Sequence, residues 1–327
     1  MQYRTFGKTG WKVSEIGFGG WQLGGTWGKV NDNESIETLL YAFGNGINFV
    51  DTAVAYGAGH SEKVIGDALK QWSNNKIYVA TKVAPLIPEM TTIDLDGKPS
   101  IKGRYPDWYI REIVEGSLKR LGVEQLDLLQ LHLWLEDGIT ELEWLETLNA
   151  LRLEGKIDKI GVSLADIRPQ QGVSLAKFGL VDSIQALFNI FEQEPADELF
   201  PESAKTGTAI IARVPLDSGA LTGSWEENTY STWKEGDKRH SMYRGKRFKE
   251  TLDRINAIKK VCEPYYANLA EAALRFALYP KEVSCVIPGM RNKHEVDLNL
   301  AISDGKEFSS ELVASLKPHR WKHEFYH

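Results

Sequence analysis

Only two cysteines occur in the 327 residues, Cys262 and Cys285, each next to a valine. Two isolated cysteines make no disulfide framework and point to a reducing compartment. No run of about 18 apolar residues, long enough to cross a bilayer, is present. The opening Met1-Gln2-Tyr3-Arg4 lacks an apolar signal core. A cytoplasmic protein without a membrane partner is therefore expected. Basic charge is scarce too: 39 Lys and Arg against 45 Asp and Glu give a net charge of -6. No basic stripe is visible, so no nucleic-acid partner is expected. The glycine fingerprint of a dinucleotide-binding Rossmann domain is also missing. Gly17-Phe18-Gly19-Gly20 lacks its spacing.

What is present is alternation. Short apolar, β-branched runs fall at 13–18, 47–51, 77–81, 126–131, 157–162, 181–185, 209–212 and 283–287. Near-continuous apolar runs suit parallel strands covered on both faces. Stretches of helical period separate them. Ile110, Ile113, Val114, Leu118 and Leu121 share a face and stop at Gly122. Leu142, Leu145, Leu148 and Leu151 follow a capping-box pattern of Thr140 and Glu143, and Gly155 ends them. Eight such units favour closure into a single (β/α)8 TIM barrel spanning 1–327 over an open doubly wound sheet. The segment 3–13 reads as an N-terminal hairpin plugging the barrel floor. Two connections, 85–106 and 217–244, are longer than a barrel needs and are expected to carry specificity or act as lids.

In such a barrel chemistry gathers at the C-terminal strand ends. Reading those ends in order gives Gly19-Gly20-Trp21, Asp51, Lys82, His132, Ser163, Gln185, Arg213 and Gly289, with Tyr56 just beyond Asp51.

At these motifs the chain resembles the aldo-keto reductase family. The matching pieces are Phe49-Val50-Asp51-Thr52-Ala53-x-x-Tyr56-Gly57, Ser61-Glu62 with Gly66, and Thr81-Lys82. Asp127-Leu128-Leu129-Gln130-Leu131-His132, Gly161-Val162-Ser163 and Ile287-Pro288-Gly289 continue the series in order. The resemblance implies an NAD(P)-dependent oxidoreductase with Asp51, Tyr56, Lys82 and His132 as its catalytic residues. Carbonyl reduction needs a hydride on carbon and a proton on oxygen. A tyrosine hydroxyl beside an ammonium can supply that proton, because the cation lowers the tyrosine pKa from its usual value of about 10. Lys82 is expected to do this for Tyr56, Asp51 to keep Lys82 charged and His132 to direct the carbonyl oxygen. It implies cofactor contacts from Gly20, Trp21 and Asp51, and from Ser163 and Gln185 to the nicotinamide carboxamide. The family commonly has Asn after that serine; here Leu164 stands there. Arg213 occupies the place of a tyrosine stacked on the nicotinamide ring. Pro215, Leu216, Ser218 and Leu221 match a loop around the pyrophosphate. Gly289, Arg291, Glu295 and Asn299 match the adenosine end. Arg291 and Lys293 favour a 2′-phosphate and Glu295 opposes it, which leaves a weak lean to NADP over NAD. Trp21, Trp27 and Trp134 are expected to line the substrate, a small carbonyl compound or sugar.

Other readings stay open on sequence grounds. One is a non-catalytic nicotinamide-binding regulator on the same barrel, like potassium-channel β subunits. A second is a Schiff-base lyase using Lys82 as nucleophile. A third is an enzyme of this class working mainly as a sugar or alcohol dehydrogenase. A homo-oligomer is also open. His323-Glu324-Phe325-Tyr326-His327 fits a zinc pattern, with His319 one turn before it. Its last member would sit on a fraying terminus, so no metal is expected and 318–327 reads as an exposed tail.

Overall fold

The structure, a computed structural model, describes every residue except 26–29, 87–99, 167, 324 and 326–327. Trp27 therefore lies outside the described residues. Two short strands, β1 (Tyr3–Thr5) and β2 (Lys12–Ser14), pair antiparallel as the N-terminal hairpin. Eight further strands form one parallel sheet. They are β3 (Phe18–Gly19), β4 (Phe49–Asp51), β5 (Tyr78–Val83), β6 (Leu126–Trp134), β7 (Ile157–Leu164), β8 (Ser183–Leu187), β9 (Ala209–Arg213) and β10 (Val283–Ile287). They lie side by side in chain order. Parallel bridges Ile16↔Val286 and Gly19↔Gly289 join the first strand region to the last and bring the sheet nearly to closure. Helices between the strands pack outside, as right-handed βαβ connections require.

The first expected strand is split. Val13 and Ser14 belong to the hairpin, and the barrel strand itself is only Phe18–Gly19. Between them Glu15 is drawn aside to Arg4 and Ser303. Ser14 and Glu15 already interrupt the apolar pattern at that point. The hairpin closes the floor as expected. Phe6 and Val13 pack with Phe49, Ala80, Leu128, Ile211 and Cys285, the inward-facing residues of the strands. Gly7 carries a left-handed φ of 49°, and a Cβ there would come within 2.3 Å of the Gly207 carbonyl oxygen, so only glycine lets the hairpin seat.

The helix Asp107–Leu121 ends on a left-handed Gly122, as its sequence predicts. The capping box at Thr140 does not form. The helix Glu143–Leu153 starts without a side-chain cap, and the Thr140 hydroxyl instead donates to the Asp137 carbonyl. Asp137 is anchored on Ser100 and the Ile101 amide, which pulls this turn away from the helix start.

Trp134, expected at the substrate, is wholly enclosed instead. Its indole N–H donates to the Gln171 carbonyl at 2.8 Å and its ring meets Trp144 edge-on. Side chains alternate along a strand, and Trp134, two residues past His132, has a β-bulge between it and Leu131. The expected exposed tail is also corrected. Trp321 packs on Phe191, and His323 and Phe325 are buried. The segment opens in the short 3-10 helix Lys317–His319, and its later described residues lie in no helix. The long excursion after β9 folds over its own aromatic cluster, with Trp225, Trp233, Tyr243 and Phe248 in ring contact.

Trp134→Ala is expected to lower unfolding stability by about 3–5 kcal/mol, the usual cost of emptying a buried aromatic site. A denaturant titration reads this as a fall in midpoint. A variant as stable as wild type would return Trp134 to the solvent-facing site.

Candidate active site

The site is built around the Lys82 ammonium. Lys82 sits on β5 and its side chain has no exposed surface. Burying an ammonium costs several kcal/mol unless it is paired and fully hydrogen-bonded. Here Nζ donates to Asp51 Oδ2 at 2.6 Å, to the Thr52 carbonyl at 2.8 Å and to the Tyr56 hydroxyl at 3.1 Å. All three ammonium hydrogens have acceptors. Asp51 is the last residue of β4, next to β5, so the two charges meet through strand adjacency. The other Asp51 oxygen accepts from Gln185 Nε2 at 2.8 Å and from Gln130 Nε2 at 3.3 Å. Asp51 thus ties β4 to β5, β6 and β8.

Tyr56 follows on the turn beyond β4. That turn is pinned from behind. The Gly20 amide donates to the Asp51 carbonyl, and the Ser61 hydroxyl donates to the Gly20 carbonyl and meets Thr52 Oγ1. Glu62 accepts from the Thr81 hydroxyl, beside Lys82, and from Arg120. Gly66 lets the helix His60–Lys70 approach the next helix, since a Cβ there would lie 2.4 Å from the Arg120 carbonyl oxygen. The Ser61-Glu62 and Gly66 motif therefore positions the tyrosine turn.

His132, near the end of β6, stands edge-on to the Tyr56 ring, with centroids 5.7 Å apart. Burial, then Lys82, then Arg213, push its pKa down to about 3. The imidazole is neutral at physiological pH. Tyr56 departs from expectation. Burial raises its pKa above the ordinary value, and the attraction of Lys82 only partly offsets this. Lys82 itself is shifted upward: burial works against its charge, but Asp51 and Tyr56 outweigh burial. At neutral pH the group is thus a protonated tyrosine, a charged lysine and a neutral histidine.

Trp21 lies beside this group, its ring 6.5 Å from that of Tyr56, and the Lys238 ammonium sits 5.5 Å over the Trp21 ring. Ser163 and Gln185 are register partners at the ends of β7 and β8, and Arg213 ends β9. The Arg213 guanidinium donates to the Leu164 carbonyl and to Asp166. Asp166 was not expected; it follows β7 where no pattern marks it. Gln130 was missed too, although a lone amide within the apolar run of β6 signals a buried polar partner.

The segment expected around the pyrophosphate is conformationally unusual. Val214, Asp217 and Ser218 have φ of 56°, 45° and 56°, left-handed values that non-glycine residues seldom adopt. Pro215 is buried, while Leu216 and Ser218 are half-buried. Leu221 is fully buried and its N–H donates to the Leu216 carbonyl, so it shapes the loop from beneath rather than facing a ligand. Gly289 follows β10, and Asn299 donates to its carbonyl. Arg291 and Glu295 do not pull apart, as the sequence reading had it. Glu295 accepts from the Arg291 guanidinium at 2.6 and 2.9 Å and from its backbone N–H at 2.7 Å. Lys293 pairs with Glu37.

Comparison with known proteins agrees with this geometry. The family model described as the aldo/keto reductase family matches residues 15–320. The aldo-keto reductase YhdN of Bacillus subtilis (strain 168) is 32% identical over 305 residues, covering 91% of this chain and 87% of that protein. The NADH-specific methylglyoxal reductase of Escherichia coli (strain K12) is 28% identical, covering 92% and 93%. The structure of a glycerol dehydrogenase from Gluconobacter oxydans superimposes with a TM-score of 0.78 at 27% identity, covering 97% of this chain and 94% of that one. An eight-stranded barrel with a buried Lys–Asp pair at its strand ends, and a match over nearly the whole chain, place this protein in the aldo/keto reductase family, as an NAD(P)H-dependent oxidoreductase acting on carbonyls.

Proposed function

We propose that the chain reduces small aldehydes, ketones or sugars, with Tyr56 as the proton donor. One observation carries this reading: a single ammonium, Lys82, touches both Asp51 and the Tyr56 hydroxyl. The donor set also fits a nicotinamide. Two amide- or hydroxyl-bearing side chains, Ser163 and Gln185, are register partners on β7 and β8, and the flat cation of Arg213 ends the neighbouring β9. Hydrogen-bonding groups beside a guanidinium suit an aromatic ring that carries a carboxamide. The left-handed segment 214–218 and the helix Lys293–Leu300 would hold the rest of the dinucleotide. When bound, the reduced nicotinamide supplies hydride to the carbonyl carbon.

The chain's own residues manage the oxygen. His132, neutral, hydrogen-bonds the carbonyl oxygen and fixes its direction. Tyr56, protonated because burial raises its pKa, gives its proton to that oxygen. Lys82 receives the resulting tyrosinate against its ammonium, and Asp51 with the Thr52 carbonyl keeps that ammonium charged. In the alcohol-oxidising direction the same residues act in reverse. Trp21 forms one wall of the substrate space, with Lys238 closing over it. Relatives named for methylglyoxal and glycerol support a small, polar substrate. For the cofactor, Arg291 is the cation we assign to a 2′-phosphate, and Glu295 holds it. This supports a weak preference for NADP(H) with use of both cofactors.

Tyr56→Phe is expected to lower reductase kcat by about 10²–10⁴-fold with dinucleotide affinity unchanged. Steady-state rates on a simple aldehyde, with fluorescence titration of NADPH, measure both; near wild-type turnover would remove Tyr56 from the mechanism. The pH profile tests the charge states. With His132 at about 3 and Tyr56 above its ordinary value, reductive kcat/KM should run flat through neutrality and fall only on the alkaline side, as the hydroxyl loses its proton. An acid limb near pH 6.5 that His132→Gln abolishes would contradict this. Glu295→Gln should release Arg291 and raise the NADPH over NADH ratio of kcat/KM by about fivefold, the worth of one screened ion pair. An unmoved ratio would place the adenosine end elsewhere.

A further inference from the structure

The C-terminal segment touches the left-handed loop at one charged point that no step above uses. His323 is buried, and its ring reaches oxygens on both edges. Nε2 lies 3.2 Å from Asp217 Oδ1, and Nδ1 lies 3.0 Å from the Trp321 carbonyl and 3.4 Å from Glu192 Oε1. A neutral imidazole has one N–H and satisfies one such edge; a doubly protonated ring satisfies both. Trp321 stacks on the imidazole at 4.4 Å, and Arg254 covers the outer face of that indole. The charges facing His323 are thus Asp217 from the loop after β9 and Glu192 from the loop after β8, with Arg254 beyond the indole.

These contacts converge on the strained backbone. Asp217 has φ of 45°, and its carbonyl accepts from the Tyr243 hydroxyl. Asn189 donates to the Val214 carbonyl and accepts from the amide of Glu192. The His323 amide donates to Glu192 at 2.9 Å, and the Trp321 amide donates to the Phe191 carbonyl. The segment 189–193, the segment 321–323 and the turn 214–218 are therefore stitched together, with His323 at the crossing. Left-handed non-glycine residues persist only where the surroundings over-determine them.

We infer that His323 is a positioning residue for the dinucleotide: by clamping Asp217 against Glu192 it holds the turn 214–218 in the shape that clasps the cofactor. The inference rests on the proposed role of that turn. The chemistry recognised is a dinucleotide's diphosphate, and the C-terminal segment acts on it only through the loop. The clamp is electrostatic. The two carboxylates outweigh burial and lift the His323 pKa to about 10, so the ring stays charged through neutrality and the clamp is lost only in strong alkali.

His323→Gln keeps a planar polar side chain and removes the cation. Hydrogen–deuterium exchange of the ligand-free protein should show faster uptake across 214–222, and NADPH and NADH dissociation constants should both rise about tenfold, as expected when the binding-competent loop drops to a tenth of the population. Saturated kcat on a simple aldehyde should change far less than the dissociation constants. His323→Arg restores the charge and should recover both readouts. If His323→Gln fails to fold, Asp217→Asn removes the same pair from the loop side and should act in the same direction. Unchanged uptake in a folded His323→Gln protein overturns the inference. So does faster uptake with unchanged dinucleotide affinity, or an Arg variant as impaired as the Gln variant. Failure of the wild-type protein to bind either dinucleotide would count against the proposed function itself, and the exchange of 214–222 would still decide whether His323 holds the loop.

Discussion

The buried Lys82 ammonium is the constraint on which the rest of the site depends. A cation with no exposed surface is tolerated only if partners replace its lost hydration. Lys82 finds them on a neighbouring strand and on the turn beyond it. Asp51, its counter-ion, is held in turn by Gln130 and Gln185. Four strands must therefore sit in one register before the charge can be buried. A slip of one residue would turn every side chain to the opposite face of its strand and leave the ammonium against apolar helices. Barrel register and site chemistry are thus the same requirement. The charged core of the site needs no mobile part to assemble it.

Below that layer the barrel filling is mainly apolar. Phe6 and Val13 of the hairpin meet Phe49, Ala80, Leu128 and Ile211 in an apolar plug. This explains how the strands afford so little exposure yet carry polar ends: the plug supplies hydrophobic burial at about 25 cal/mol per Å² of apolar surface, and the upper ends are released for chemistry.

What could be read from the sequence follows from how local each signal is. The eight strands were legible because buried parallel strands write continuous apolar runs, and Asp51, Lys82 and His132 were legible because each interrupts or follows such a run. Tyr56 came with the motif that follows β4. Contacts between distant segments left no such mark. The Arg291–Glu295 pair was read as a conflict because the resemblance assigned each residue separately to the adenosine end, and nothing local shows that Glu295, in the first turn of the helix Lys293–Leu300, reaches back to Arg291 just before it. Trp134 looked like a site residue from its place beyond His132, but a bulge in β6 redirects it into packing against Trp144. The turn that splits the first strand depends on Glu15 reaching Ser303, a partner almost the whole chain away. The protonation state of Tyr56 was misjudged for a related reason: sequence named the nearby cation but could not measure the burial that outweighs it.

The C-terminal segment shows the same limit from the other side. Polar, histidine-rich and terminal, it has the composition of a solvated tail, yet it docks because two buried carboxylates on other loops need a cation. Glu192 and Asp217 are both nearly inaccessible to water. An unpaired buried carboxylate is costly, so the loops after β8 and β9 create a demand that a distant residue must meet. His323 meets it with ring nitrogens facing oxygens on both edges. The strained turn at 214–218 is then stable because charge balance, not local propensity, determines its backbone. A barrel whose lower half is held by apolar packing thus holds its adjustable upper loop by electrostatics, and that difference lets the loop be strained where the floor is not.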